Sequence, residues 1–181
     1  MIIISPIGDF EYSLFEIAGS EVSRIFGFPT QVISLLSDVS FAYDHDRDQY
    51  NSTLILERLS RSNRTKSLKI LAVTKVDLFI PILTYVYGEA QLGGRAAIIS
   101  THRLEESLSL VNPNEALQAR VCKEAVHELG HAFNLRHCRD SSCIMHYCRC
   151  IQDVDKKSDQ LCRYCRILLS DEIKKLSMKR W

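Results

Sequence analysis

Four side chains in the segment His127-Glu-Leu-Gly-His131-Ala-Phe-Asn-Leu-Arg-His137 have the types and spacing of a hydrolytic metal centre. His127 and His131 are four residues apart, so on a helix both imidazoles leave the same face and can hold one cation between them. Glu128, beside the first histidine, can reach a water on that cation and take its proton as general base without being a ligand. His137 follows six residues after His131, and on a continuing helix it would point away from the metal. The helix must therefore stop in between. Asn134 is placed to stop it, because after glycine asparagine best tolerates the left-handed backbone of a helix C-terminus. Three neutral imidazoles leave the fourth position of a tetrahedral zinc open to water, the arrangement of a catalytic rather than a structural site. An isolated H-E-x-x-H is a weak signal; a third histidine, a helix stop and a following methionine, Met145, make the combination specific.

Six of the seven cysteines lie downstream, between residues 138 and 165. Cys162-Arg-Tyr-Cys165 is a knuckle, a tight turn that points two thiolates at one ion. Cys138, Cys143, Cys148 and Cys150 are candidates for the remaining two places.

Taken together, the segment from His127 to Cys138, then Cys143-Ile-Met145, then Cys162-Arg-Tyr-Cys165 resembles the extended zinc motif and downstream pattern of the metzincin metallopeptidases, and within them the archaemetzincins. The resemblance implies an α+β (mixed α/β) single domain. Its twisted mixed sheet would have an antiparallel edge strand over the cleft, backing helices, an active-site helix carrying H-E-x-x-H and a zinc-bound C-terminal subdomain. It implies a zinc-dependent metallopeptidase acting on a peptide or protein substrate, with two zinc ions. The catalytic ion would sit on His127, His131 and His137 with Glu128 as base and Met145 as a floor beneath it. The structural ion would sit on Cys138, Cys143, Cys162 and Cys165, with Cys148 and Cys150 either competing for places there or left as free thiols. The chain departs from the family pattern twice. Asn134 stands where glycine is usual, a cost of about 1 kcal/mol at a left-handed position. Met145-His146-Tyr147 looks more like the Met-turn of astacin-type metzincins, which makes Tyr147 an extra ligand, an oxyanion stabiliser or a packing aromatic.

The elements that would position these residues can be read in order. Ile2-Ile3-Ile4 is a buried strand, and Asp9 is placed to cap a helix running to about Phe26, ended by Gly27 and Pro29. Gln31 to Leu36 reads as a second strand, parallel to the first through a right-handed crossover. Phe41 to Asn51 reads as a solvated acidic loop, its His45 a surface residue before a metal ligand. Leu54, Ile55 and Leu59 share one side of the segment 52–59, and 58–66 is a basic turn. Leu68 to Val76 reads as the central strand. Thr84–Gly88 and Arg95–Ile99 read as a hairpin across Gly93-Gly94, one of whose strands is antiparallel to the rest. Asn112-Pro113-Asn114-Glu115 has the form of a helix start, with asparagine as N-cap, proline first and glutamate three residues on. The active-site helix would run from there to about Phe133, with Cys122 a small core residue on it and His102 a surface residue before it. Residues 168–176 read as a terminal helix with acids early and lysines late.

Length and composition bound the rest. The 181 residues, 46% of them hydrophobic, suffice for one domain with its own core, which we divide at 1–134 (sheet and helices) and 135–181 (Met-turn, cysteine site and terminal helix). A net charge of +1, with basic residues scattered among acidic ones, gives no footprint for nucleic acid. Met1 to Ile7 is apolar but lacks a basic flank and breaks too early for a signal peptide, and no run is long enough to span a membrane. The chain reads as cytoplasmic, a compartment in which clustered cysteines bind metal more often than they pair. Two other functions compete with a peptidase. A metal-dependent endoribonuclease uses similarly spaced histidines, but with glycine where this chain has Glu128, and needs a basic cleft. A zinc-stabilised peptide- or protein-binding module would keep the site without turnover. Oligomeric state is not legible.

Overall fold

The computed structural model describes residues 1–62, 66–108 and 111–178. The chain runs β1 (Ile2–Ile7), α1 (Tyr12–Phe26), β2 (Thr30–Val32), β3 (Tyr43–Asp44), β4 (Gln49–Asn51), α2 (Ser52–Ser60), β5 (Lys69–Thr74), β6 (Leu78–Phe79), β7 (Gly88–Ala90), β8 (Ala96–Ser100), α3 (Pro113–Ala132), α4 (Ile151–Lys156) and α5 (Arg163–Met178). The main sheet has the order β2-β1-β5-β8-β7, parallel throughout except for the antiparallel edge strand β7. This is the mixed α/β architecture expected.

Alternation along the strands builds two cores. Ile2, Ile4, Leu71, Val73, Ala97 and Ile99 face α1 and α3, while Ile3, Ile7, Ile70, Ala72, Ala96 and Ile98 face the side covered by α2. The first core also takes in Ile144, Met145, Val154, Leu161 and Leu169, so the part of the chain after α3 packs with the part before it. Phe133 closes the end of α3 by stacking on Phe26 at 4.8 Å between ring centroids. No described helix is long and apolar enough to cross a membrane.

Several local expectations are corrected. Asp9 does not cap α1: Glu11 occupies the N-cap and makes no side-chain cap bond. The second strand covers only Thr30–Val32. The acidic stretch is not all loop, because Tyr43 and Asp44 pair with Gln49 and Tyr50 in a hairpin whose strand β4 runs parallel to β6. Its turn needs a left-handed residue, which Asp48 supplies at φ 52°. Leu54 is exposed, and Leu56 takes its expected place in the core beside Ile55 and Leu59. The edge strand begins at Gly88, where Thr84–Gly88 was expected, because Val86 is diverted to bridge Leu78. Asn112 occupies the N-cap of α3 but its amide donates to the Glu115 carboxylate, not to the helix. The terminal helix starts five residues earlier than expected, directly out of the Cys162 turn. Residues 63–65 of the basic turn lie outside the described residues.

Candidate active site

Helix α3 ends where its sequence says it must. The Asn134 N–H donates to His131 O at 2.8 Å and the Leu135 N–H to Gly130 O at 2.9 Å, with Asn134 at φ 70°. These are the two bonds of a Schellman ending with asparagine in the left-handed place of glycine. The reversal turns the chain back so that His137 meets the two helical histidines.

The three imidazoles converge through their Nε2 atoms. His131 Nε2 lies 3.1 Å from His127 Nε2 and 3.2 Å from His137 Nε2. Ligands on one tetrahedral zinc stand about 3.3 Å apart when each Zn–N bond is about 2.05 Å. The trio therefore fits that ion. The other ring nitrogens are already engaged: His127 Nδ1 is 2.8 Å from Ile144 O, and His131 Nδ1 is 2.8 Å from Leu135 O. A carbonyl only accepts, so each Nδ1 carries the proton and each Nε2 keeps its lone pair for a metal. Burial holds all three rings below the usual histidine range, His137 at about 4, so they are neutral and ready to ligate.

Glu128 is buried beside them, and burial first, then the neighbouring Glu124, pushes its carboxyl well above the ordinary range. Across the cleft stands Gly88 of β7, so close that a Cβ there would come within 2.6 Å of Ile98 O and 2.7 Å of Glu128 Cγ. Below the helix lies Met145, fully buried, and a Cβ on Gly130 would collide with its sulfur. Tyr147 is half exposed with its ring centroid 5.1 Å from that of His137, on the wall of a cleft of about 710 Å³ that also exposes His127, Glu128 and His131.

A second cluster forms below. The ligand atoms of Cys138, Cys143, Cys162 and Cys165 all lie within 4.8 Å of one another, as do those of the histidine trio. Cys138 Sγ is 3.7 Å from Cys162 Sγ, against about 3.8 Å for two thiolates on one tetrahedral zinc. The Cys162 N–H donates to Cys143 Sγ at 3.3 Å and the Cys165 N–H to Cys162 Sγ at 3.5 Å, the backbone donors that a knuckle supplies to thiolates. Cys148 and Cys150 stand apart from this cluster, Cys148 on the cleft wall and Cys150 at the N-cap of α4. His45 sits exposed in the β3–β4 turn and His102 exposed at a short 3₁₀ turn, while Cys122 is half-buried on α3.

Sequence reasoning missed a further group in the cleft. Lys157 is almost fully buried and donates to Glu124 Oε1 at 2.7 Å. Glu124 precedes Glu128 by one helical turn, so its face was legible; nothing in the sequence around Lys157 marks it as buried. Tyr87, Gly88 and Arg149 also line the cleft unannounced, because their places depend on where the edge strand and the Met-turn pass.

Comparison with known proteins agrees with this geometry. The profile of Peptidase family M54 matches residues 21–171. Archaemetzincin of Methanocaldococcus jannaschii is 36% identical over 171 residues, 94% of this chain and 93% of that protein. That of Pyrococcus furiosus is 36% identical over 180 residues, 96% of this chain and 94% of that protein. Among solved structures, archaemetzincin of Methanopyrus kandleri superposes with a TM-score of 0.82 at 31% identity, covering 96% of this chain and 94% of that one. That of Archaeoglobus fulgidus, crystallised with malonate, gives 0.78 at 35% identity, covering 92% and 98%. A family profile spanning most of the chain, relatives above 30% identity along nearly its whole length and a matching fold lead to one conclusion: the chain belongs to peptidase family M54, the archaemetzincins, and is a zinc metallopeptidase.

Proposed function

We propose that the chain hydrolyses peptide bonds at a zinc ion held by Nε2 of His127, His131 and His137, with Glu128 as general base, and that a second, structural zinc is held by Cys138, Cys143, Cys162 and Cys165. The observation that carries this reading is the convergence of three neutral Nε2 atoms at tetrahedral spacing beside one buried carboxyl. When bound, the catalytic zinc supplies Lewis acidity, acidifying water and polarising the scissile carbonyl. Glu128, whose carboxyl is buried beside the three rings, would take a proton from water polarised there and deliver it to the leaving amine. Buried Met145 fixes the underside of α3 against Gly130 and so holds the two helical histidines at their spacing. Tyr147, whose ring stands beside that of His137 on the cleft wall, would serve in this reading as a donor to the developing oxyanion.

The edge strand orients the substrate. Tyr87 O accepts from Ser100 N and Gln91 N donates to Ala96 O, so by alternation the backbone groups of Gly88 and Ala90 turn away from β8. An extended peptide adds to these groups and lays its backbone past Glu128. Membership of a peptidase family favours this chemistry over the nuclease and pure binding readings. Incubating zinc-loaded protein with a mixed peptide library, beside a chelated sample, tests it by mass spectrometry: new termini in the loaded sample alone support the proposal, and an intact library with both zinc sites filled overturns it.

A further inference from the structure

The strand that would receive the substrate is weak on its own. β7 is three residues long and lies at the sheet edge, pairing Gly88, Glu89 and Ala90 with Ile99, Ile98 and Ala97 of β8. Its first residue is glycine because nothing larger passes Glu128, and glycine packs little and leaves the backbone loose. The chain on either side is fastened. Before the strand, the Val86 N–H donates to Leu78 O at 2.9 Å; after it, the Gly93 N–H donates to His131 O at 2.9 Å. Between these points lie Gly88 and Ala90, whose outward backbone groups would take the peptide, and a single residue separates them.

That residue is Glu89. Side chains alternate along a strand, so with the Cβ direction of Gly88 aimed at Glu128, Glu89 points to the opposite face, where α2 begins. The Ser52 hydroxyl, fully buried, donates to Glu89 Oε2 at 2.5 Å and lies 3.1 Å from Phe79 O. Thr53 Oγ1 lies 2.9 Å from Glu89 Oε1 and 3.1 Å from Oε2. Both hydroxyls belong to the first turn of α2, whose positive end favours a carboxylate. The helix does not need Glu89 as its cap, because the Asn51 side chain already accepts from the Thr53 and Leu54 amides. What the contact does is fix the strand. By its backbone Glu89 is held to β8 in the plane of the sheet, and by its side chain it is held to α2 across that plane.

We propose that Glu89 is a positioning residue for the substrate backbone: its bonds to Ser52 and Thr53 hold the outward groups of Gly88 and Ala90 at the angle at which an extended peptide adds to them. The proposal rests on the edge-strand reading above and adds the residue that keeps the edge ready. Without the carboxylate the strand rocks about its pairing with β8, and part of the peptide's binding free energy goes into ordering it.

The test is a cycle between the protein and the peptide backbone. Binding of a peptide to zinc-loaded Glu128→Gln protein is read by fluorescence anisotropy, with each peptide N–H methylated in turn. Methylation at a position that pairs with the edge removes a donor and sets a methyl against the strand, and should weaken binding at least about fivefold, the scale of one hydrogen bond. Adding Glu89→Met, which keeps the length of the side chain and removes its acceptors, should weaken binding of the unmethylated peptide about tenfold but that of the edge-methylated peptide by no more than about twofold, because the bond that Glu89 sets up is already lost. Thr53→Val, which removes one hydroxyl from the other side of the contact, should give the same pattern at smaller size and carries the test if Glu89→Met does not fold. Equal losses with both peptides overturn the proposal, since Glu89 would then act on the fold as a whole, and so does no loss with either. A methylation series without effect overturns the edge-strand reading and the proposal with it. Coupled binding without turnover by zinc-loaded wild type supports the role of Glu89 and counts against the peptidase reading.

Discussion

His137 and Cys138 are adjacent in the chain and enter different ligand clusters: His137 Nε2 lies 3.2 Å from His131 Nε2, while Cys138 Sγ lies 3.7 Å from Cys162 Sγ. The segment is further held by the Cys138 N–H bond to Met145 O at 2.8 Å, so the third imidazole is presented from a backbone tied to both the Met-turn and the cysteine cluster. The cysteine site thereby braces the histidine that no helix holds. Cys162→Ser should weaken catalytic zinc binding about 10- to 100-fold, the usual effect of losing a support behind a ligand. Competition with a chelator measures it, and unchanged affinity would show that the two sites are independent.

Gly88 stands where the edge strand passes Glu128 with no room for a side chain. One of the atoms in the way is backbone, Ile98 O, which cannot move aside without opening the β7–β8 pair. Gly88→Ala should cost about 1–3 kcal/mol in urea unfolding, as overpacking does, and should displace Glu128. We expect kcat/KM to fall by two orders of magnitude or so while zinc content, read by mass, stays at wild-type level. Wild-type kinetics would contradict the close approach.

Asn134 holds the left-handed turn between His131 and His137 at φ 70°. Asn134→Gly should stabilise the zinc-free protein by up to about 1 kcal/mol and Asn134→Ala should destabilise it by about the same, because only the second meets the steric cost of a Cβ without asparagine's local hydrogen bonds. Thermal unfolding of the pair separates the two signs.

Burial pushes the thiols of Cys122 and Cys148 up to about 11. Neither should be alkylated quickly at neutral pH, and the rate at each should climb about tenfold per pH unit until the thiolate is fully formed near that value. The four clustered cysteines should react only after chelation. Peptide mapping after brief iodoacetamide treatment distinguishes these classes, and rapid labelling of Cys138 or Cys162 in zinc-loaded protein would argue against a bound ion there.

Much of this site was legible because its logic is local. The four-residue step from His127 to His131, the glutamate between them and an asparagine able to end the helix are all consequences of helix geometry within a dozen residues. The sheet was legible where apolar runs were long, as in β1 and β5, and blurred where pairing depended on remote residues: β3 and β4 exist because β6 lies alongside, and the edge strand starts late because Val86 is bridged to Leu78. Charged residues mislead a reading by composition. Lys69 looks like a solvated strand end, yet its ammonium is buried against Gly94 O at 2.5 Å and Ala132 O at 2.6 Å, tying the hairpin turn to the end of α3. Lys157 is hidden in the same way, its burial set by where α4 lands on α3.

The most direct test of the account is the turnover of a cleaved peptide by Glu128→Gln protein whose zinc content matches wild type. We expect kcat lower by at least about a hundredfold, the scale of a lost general base, with KM little changed, because glutamine keeps the shape of the site and cannot take the proton. Undiminished turnover with both zinc sites filled would contradict it, since hydrolysis would then proceed without the carboxyl assigned as its base.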